Sequence, residues 1–161
     1  MVNAVTDRTS MTISAYPIAV PAKIRLKKER NEMGKDMTTW ITICDTCKRE
    51  GWDTSGADKT DGEVLAALIE GAAAGVPDLK TRRVSCLMGC KQGCNVAIQA
   101  QGKLSYTIGN FEPLDDAAAG IVDYATKHAA SENGQVPYRE WPQAIKGHFV
   151  TRHPPLPEAD S

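Results

Sequence analysis

The sequence lacks a long apolar run, an excess of charge and the common nucleotide-binding motifs. No hydrophobic stretch approaches the ~18 residues that a membrane-spanning helix requires, so we expect no membrane association. The formal net charge of −1 gives no general attraction to nucleic acid. Neither a Walker-type glycine loop nor a G-x-G-x-x-G sequence after a strand is present, which excludes the familiar phosphate-binding motifs.

The first 37 residues also lack the features of a secretory signal. The longest apolar run there, residues 18–20, lies between Pro17 and Pro21, and the basic cluster follows it instead of preceding it. With no sustained periodicity either, residues 1–37 are predicted to be a disordered basic leader, and Met37 is an alternative start.

The charge is divided unevenly along the chain. Residues 1–36 carry seven basic and four acidic side chains, a net of +3, which leaves −4 for the remainder of the −1 total. We therefore expect the mildly acidic body to favour basic partners, chiefly by speeding their encounter.

From residue 38 onward the pattern predicts a domain of alternating strands and helices, ending near residue 133. β-Branched and aromatic residues at 39–43 indicate a strand that ends at Cys44. The sequence T-x-x-E at 60–63 is typical of a capping box and precedes an apolar helical period. The remaining predicted elements are a strand at 81–85, a hairpin around Gly102, and a helix that begins at Pro113 and ends by Gly134.

This order, strand-helix-strand-strand-strand-helix, predicts a small α/β sandwich. The first two strands and the helix between them form a βαβ unit, whose strands we expect to be parallel. Both strands end in cysteine clusters, and the carboxyl ends of parallel strands meet at the same edge of a sheet. Residues 134–161 have no clear period and are predicted to be an extended proline and aromatic tail that packs on the domain, with a docking segment as the alternative.

Five cysteines carry the functional signal. Cys44 and Cys47 form C-x2-C, and after a gap of 38 residues Cys86, Cys90 and Cys94 form C-x3-C-x3-C. An odd number of cysteines fits a disulfide framework poorly, and we expect a cytoplasmic protein with reduced thiols. Converging thiols in such a protein indicate a metal, an iron–sulfur cluster or a redox dithiol.

Zinc and dithiol chemistry are the alternatives to a cluster. C-x2-C is a frequent zinc half-site, although C-x3-C-x3-C is less typical of zinc, and all three histidines are expected at the surface. C-x-x-C after a strand is also the thioredoxin-type signature. That signature requires a cis-proline opposite the pair, and no proline occurs between Pro77 and Pro113.

The arrangement resembles the thioredoxin-like [2Fe-2S] ferredoxins, with residues 84–94 similar to their second ligand loop. More closely, residues 43–47, 84–94 and 136–155 resemble an uncharacterised bacterial family described as predicted metal-binding proteins. The resemblance implies a thioredoxin-like fold and a [2Fe-2S] cluster, with zinc as the alternative, held by Cys44, Cys47, Cys86 and Cys90.

Two departures from the ferredoxins affect this ligand set. The first two cysteines are closer together than in the ferredoxins, and Gly93-Cys94 stands where they usually have Gly-Pro. Cys94 is therefore either a buried inert thiol or a ligand in place of Cys47.

The resemblance also implies a function as an electron carrier instead of an enzyme. Its redox partners would be a reductase and an acceptor enzyme, with cobalamin biosynthesis as a candidate pathway. Neither nucleic acid nor membrane is an expected partner, and a homodimer is left open.

Overall fold

The protein is described from a computed structural model, in residues 38–51 and 58–157. The leader predicted for residues 1–37, with its alternative start at Met37, lies outside the described residues. In this part of the chain the strands are β1 (Thr39–Cys44), β2 (Leu79–Val84), β3 (Val96–Gln99), β4 (Ser105–Ile108) and β5 (Phe149–His153), and the helices are α1 (Asp61–Ala73) and α2 (Asp115–Ala130).

The strands form one five-stranded sheet in the order β2-β1-β3-β4-β5. β1 and β2, which α1 connects, are parallel, and the other three neighbouring pairs are antiparallel. The predicted α/β class and the order strand-helix-strand-strand-strand-helix are confirmed. The first four strands have the order β2-β1-β3-β4 in the sheet, and β5 extends the sheet at one edge.

Both helices pack on the same face of the sheet. From β1, Thr39 Oγ1 is hydrogen-bonded to His128 Nδ1 of α2 at 3.1 Å. From β2, Arg83 Nε donates to the Glu70 carboxylate of α1 at 2.7 Å. Because Thr39 pairs with Leu79 in the parallel register and side chains alternate along a strand, Thr39 and Arg83 share one face. The domain is therefore a two-layer arrangement of helices on a sheet.

The start of α1 follows the sequence prediction, whereas the start of α2 does not. The Thr60 hydroxyl accepts from the Glu63 amide at 3.1 Å, and the Glu63 carboxylate accepts from the Thr60 amide at 2.7 Å, which completes the predicted capping box. The prediction that Pro113 opens the second helix is wrong. Leu114 is extended, with φ −118° and ψ 157°, so the helix begins only at Asp115.

The C-terminal tail has more structure than its sequence predicts. Its aromatic side chains pack on the domain, as expected: the ring of Trp141 stacks on Phe149 at 4.2 Å, and both rings contact Tyr124 of α2. The tail also forms two short 3-10 turns, Tyr138–Glu140 and Gln143–Ile145, and then β5, which pairs with β4. This last strand was not predicted from the sequence.

The prediction that all three histidines lie at the surface is wrong for one of them. His128 is fully buried between the helix layer and the sheet, where Nδ1 is hydrogen-bonded to the Thr39 hydroxyl and Nε2 donates to the Leu104 carbonyl at 2.7 Å. His148 is partly buried and stacks on Phe111, and His153 is exposed. A helical position alone did not reveal the burial of His128 because its partners, Thr39 and Leu104, are distant in sequence.

The core is built from aliphatic residues of the sheet and the two helices. Its fully buried side chains include Ile41, Ile43, Leu65, Ile69, Ile98, Ile108 and Ile121. In residues 38–51 and 58–157, neither helix has the length and apolar character needed to cross a membrane.

Candidate functional site

The two cysteine segments begin at the same edge of the sheet. Cys44 is the last residue of β1 and pairs in register with Val84, the last residue of β2. The Asp45 amide then donates to the Val84 carbonyl at 3.0 Å, which extends the pairing one residue beyond the strands. The parallel register predicted from the βαβ pattern therefore places the backbone that carries Cys86 beside the Cys44 turn.

Helix α1 fixes the turn from Cys44 to Cys47. The Gly62 amide donates to the Cys47 carbonyl at 2.9 Å, and the Thr60 hydroxyl donates to the Asp45 carbonyl. Gly62 is packed so tightly that a Cβ there would collide with the Cys44 carbonyl oxygen and lie 2.9 Å from the Cys47 nitrogen. The first turn of α1 can approach the cysteine turn this closely only without a side chain at Gly62.

The Cys44 thiol is buried and surrounded by hydrogen-bond donors. It is only 3% exposed, and burial alone would raise its pKa. Interactions with the Cys47 thiol, with the backbone of Leu87 and with Thr46 outweigh burial, and the pKa of Cys44 is lowered as a result. The Leu87 backbone is important because it comes from the segment that carries the second cysteine cluster.

The Cys47 thiol is also buried, but its pKa moves the other way. Burial, together with the Cys44 sulfur, raises the pKa of Cys47 to about 11. The backbone amide of Asn95 donates to the Cys47 sulfur, and the side-chain nitrogen of Asn95 lies 3.8 Å from it. The same Asn95 nitrogen donates to the Gly89 carbonyl, so one side chain joins both cysteine segments.

Cys86 and Cys90 present a different environment, because both thiols are exposed. The Met88 amide donates to the Cys86 sulfur at 3.2 Å, and the Met88 sulfur lies 3.7 Å from it. Met88 itself is 87% exposed. Cys90 begins a short 3-10 turn, Cys90–Gln92, within an otherwise irregular loop.

Cys94 lies inside the core instead of at the surface. It is fully buried, and burial, with smaller contributions from nearby acidic groups, raises its pKa to about 12. This environment is that of an inert structural thiol.

The structure therefore brings the first pair of cysteines together but not all four proposed ligands. Within residues 38–51 and 58–157, no group of three or more cysteine, histidine, aspartate or glutamate side chains is arranged to hold a metal ion. Cys44 and Cys47 are in contact, and the backbone around Leu87 and Gly89 closes over them, while the thiols of Cys86 and Cys90 face solvent.

Three further residues of the site were not found by sequence reasoning. Asn95 links Cys47 to Gly89, and Gly62 allows α1 to contact the cysteine turn. Asp45 follows Cys44, and its Oδ1 is buried without a hydrogen-bond partner among the described residues, as is Oδ1 of Asn95. A glycine in the first turn of a capped helix is a sequence signal of close packing, but nothing local to Asn95 indicates its role.

The fold and site define a small α/β protein with a buried cysteine pair and a second cysteine loop at one sheet edge. A family described as "Protein of unknown function (DUF1636)" matches residues 41–155. The chain belongs to this family, and the match contains the three segments, residues 43–47, 84–94 and 136–155, on which the resemblance to an uncharacterised family was noted from the sequence. No curated protein and no solved structure matches the chain.

Proposed function

We propose that the protein binds a metal centre through the thiolates of Cys44, Cys47, Cys86 and Cys90, and that this centre is a [2Fe-2S] cluster. The supporting observation is the contact of Ser85 with the turn of the first cysteine pair: its carbonyl oxygen lies 3.9 Å from the Cys44 sulfur and accepts a hydrogen bond from the Thr46 hydroxyl. It puts the residue next to Cys86 in contact with the first cysteine pair. A bound [2Fe-2S] cluster would supply one-electron redox chemistry.

Hydrogen-bond donors around the first pair support a thiolate-ligated centre. The Leu87 amide is directed at Cys44, and the backbone and side-chain amides of Asn95 are directed at Cys47. Amide donors offset the negative charge of thiolate ligands, and in cluster proteins they help to set the reduction potential.

The burial of the first pair argues against a thiol–disulfide oxidoreductase. An exchanging thiolate needs both a lowered pKa and access to its substrate. Cys44 has the lowered pKa but is only 3% exposed, so a protein disulfide has no approach to its sulfur. Metal ligation, in contrast, is favoured by a shielded site.

Zinc is the second candidate, and Asp45 favours it. The Oδ1 atom of Asp45 is buried without a hydrogen-bond partner among the described residues, next to Cys44. Zinc accepts carboxylate oxygen together with cysteine sulfur, whereas iron–sulfur clusters take mainly thiolates. A zinc centre would make the protein a structural or metal-handling module without redox function.

The deciding experiment is anaerobic purification followed by a visible spectrum and assays for iron, acid-labile sulfide and zinc. The proposal expects a coloured protein with about two iron and two sulfide per chain. A colourless protein with one zinc per chain would replace the cluster with the second candidate. Failure to retain either metal after reconstitution would end both.

Serine variants test the ligand set in the same assays. Replacing any one of Cys44, Cys47, Cys86 or Cys90 removes a thiolate and should reduce bound metal at least about tenfold. Cys94→Ser is the matched control, because Cys94 lies in the core, and it should keep its metal. Loss of metal in Cys94→Ser, with Cys47→Ser unaffected, would exchange the roles of these two residues.

As a cluster protein it would pass electrons between a reductase and an acceptor enzyme without catalysing turnover itself. The cytoplasmic location, the link to cobalamin biosynthesis and the homodimer belong to this same proposal. Potentiometric titration of the loaded protein tests its electron-transfer part. A centre that cannot be reduced reversibly would leave a metal-binding role alone.

A further inference from the structure

One face of the sheet is left uncovered by the two helices. Thr39 and Arg83 point toward the helices, as their contacts with His128 and Glu70 show. Since side chains alternate along a strand, Trp40 and Thr42 point to the opposite face. We call this opposite side the open face because neither helix packs on it. Thr42 and Ala97 on this face are buried, and its exposed charged side chains lie along the edge strand β2.

The β2 edge of the open face is basic although the chain has a net charge of −1. None of the five strands contains an aspartate or glutamate. In register, Lys80 lies beside Trp40 and Arg82 lies beside Thr42, and both basic side chains are exposed. The negative charge of the chain is therefore carried outside the strands, and this surface differs from the molecule's average.

Lys80 and Arg82 converge on Trp40. The Lys80 nitrogen is 5.5 Å from the centroid of the Trp40 ring, and the Arg82 guanidinium carbon is 5.7 Å from it. Two positive charges held near one ring repel each other, and cation–π attraction at an exposed site offsets this only in part. An anion placed between them would relieve the repulsion.

The guanidinium of Arg82 is held in place by neutral groups. Its Nε donates to Thr42 Oγ1 at 2.7 Å, and its Nη2 lies 3.4 Å from Gln99 Oε1. Arg49 and Arg83, in contrast, each contact a carboxylate within 4 Å, and Arg82 does not do so among the described residues. Arg82 is thus oriented by its neighbours but keeps its charge available for an external oxyanion.

We infer that the open face docks an acidic surface of a partner protein, with Lys80 and Arg82 as its carboxylate-binding pair. Charge complementarity supports an anionic partner. A single-stranded nucleic acid would need aromatic rings free to stack on bases. Within the described strands, Trp40 is the one tryptophan, tyrosine or phenylalanine on this face. Lys80 and Arg82 already lie over its ring, so the ring is not free to stack on a base.

The docking site adjoins the cysteine edge. Arg82 and Val84 are two residues apart on the same face of β2, a separation of about 7 Å, and Val84 pairs with Cys44. The loop that follows carries Met88, an exposed apolar side chain of the kind enriched at interfaces. A partner seated on the open face would therefore lie next to the loop of Cys86 and Cys90, whichever metal the cysteines bind.

The test measures binding of a labelled deca-glutamate peptide to the full chain by fluorescence anisotropy at low salt. Removing both charges in Lys80→Gln/Arg82→Gln should weaken binding about tenfold or more, and added salt should weaken it in the original protein. Arg82→Lys, which keeps the charge, should retain most of the affinity and shows that loss of charge, not misfolding, is responsible.

Lys127→Gln/Arg139→Gln is the matched control. It removes the same charge from the partly exposed Lys127 and the exposed Arg139, which already pair with Asp123 and Glu140, and it should leave peptide binding unchanged. Equal losses in the two double variants would overturn the proposal, as would equal binding of a deca-glutamine peptide. Tighter binding of a dT12 oligonucleotide than of deca-glutamate would assign the face to nucleic acid instead. Because no metal is measured, these outcomes are independent of the metal assays.

Discussion

The thiols of Cys44 and Cys47 are hydrogen-bonded to each other, and their pKa values move in opposite directions. Donors around Cys44 lower its pKa, whereas burial raises the pKa of Cys47 to about 11. The pair thus favours one thiolate that accepts a hydrogen bond from a neighbouring thiol. A metal that takes both sulfurs must displace the proton of Cys47, so metal binding should release acid.

Thiol alkylation should separate the five cysteines into two groups. In the metal-free protein, iodoacetamide should modify the exposed Cys86 and Cys90 first, as followed by peptide mass spectrometry. Cys47 and Cys94 should be the slowest, because both are buried and have raised pKa values. Metal loading should then protect Cys86 and Cys90. Unchanged labelling of these two after loading would remove them from the ligand set.

Two glycines of α1 offer a matched pair of substitutions. Gly62→Ala places a Cβ against backbone atoms of Cys44 and Cys47, and it should lower the free energy of unfolding by about 2 kcal/mol. Gly71→Ala meets nothing within 4 Å and should raise it by about 0.5–1 kcal/mol, because alanine is the better helix former. Urea unfolding measures both. Similar effects from the two variants would contradict the close packing at Gly62.

Asn95→Asp tests the link between the two cysteine segments. The change replaces a donor by a carboxylate next to the Cys47 sulfur and the Gly89 carbonyl. We expect metal affinity, measured by chelator competition, to fall about 10–100-fold. Gln101→Glu, which adds the same charge in the exposed turn of the hairpin, is the control and should have no effect. Equal affinity of the two variants would show that Asn95 has no part in the site.

His128 should make stability depend on pH. Burial, together with the nearby Lys103 charge, lowers the pKa of His128, although the bond with Leu104 opposes the shift. The folded state therefore binds fewer protons than the unfolded state just below the ordinary pKa of 6.5. This contribution to stability is present above pH 6.5 and is lost as the pH falls through the lowered value.

Urea unfolding between pH 5 and 8 measures this contribution. His128→Gln should reduce the pH dependence in this window and cost about 1–3 kcal/mol at pH 8, because two buried hydrogen bonds are disrupted. His153→Gln is the control, since His153 is exposed, and its profile should match the original protein. An unaltered slope in His128→Gln would show that other groups cause the dependence.

The sequence predicted those parts of the fold that depend on local patterns. The capping box at Thr60 located the start of α1, and the βαβ pattern placed Cys44 beside the end of β2, because parallel strands have a defined polarity. These features follow from residues close together in the chain and from chirality, and both were confirmed.

Features that depend on distant partners could not be predicted. β5 has four exposed residues out of five, so it shows no alternating pattern, and it is stabilised by pairing with β4 and by the packing of Phe149. The burial of His128 depends on Thr39 and Leu104, which are far away in sequence. For the same reason, cysteine spacing identified the candidate ligands but not the exposure of Cys86 and Cys90.

The position of β5 in the chain has a consequence for synthesis. During translation β4 emerges about forty residues before Phe149–His153 has been made, and until then its outer edge has no strand to pair with. An open strand edge is a template for association with other chains. A nascent chain that pauses on the ribosome after α2 would therefore expose an unpaired strand edge. Chaperone contact should be greatest at that length.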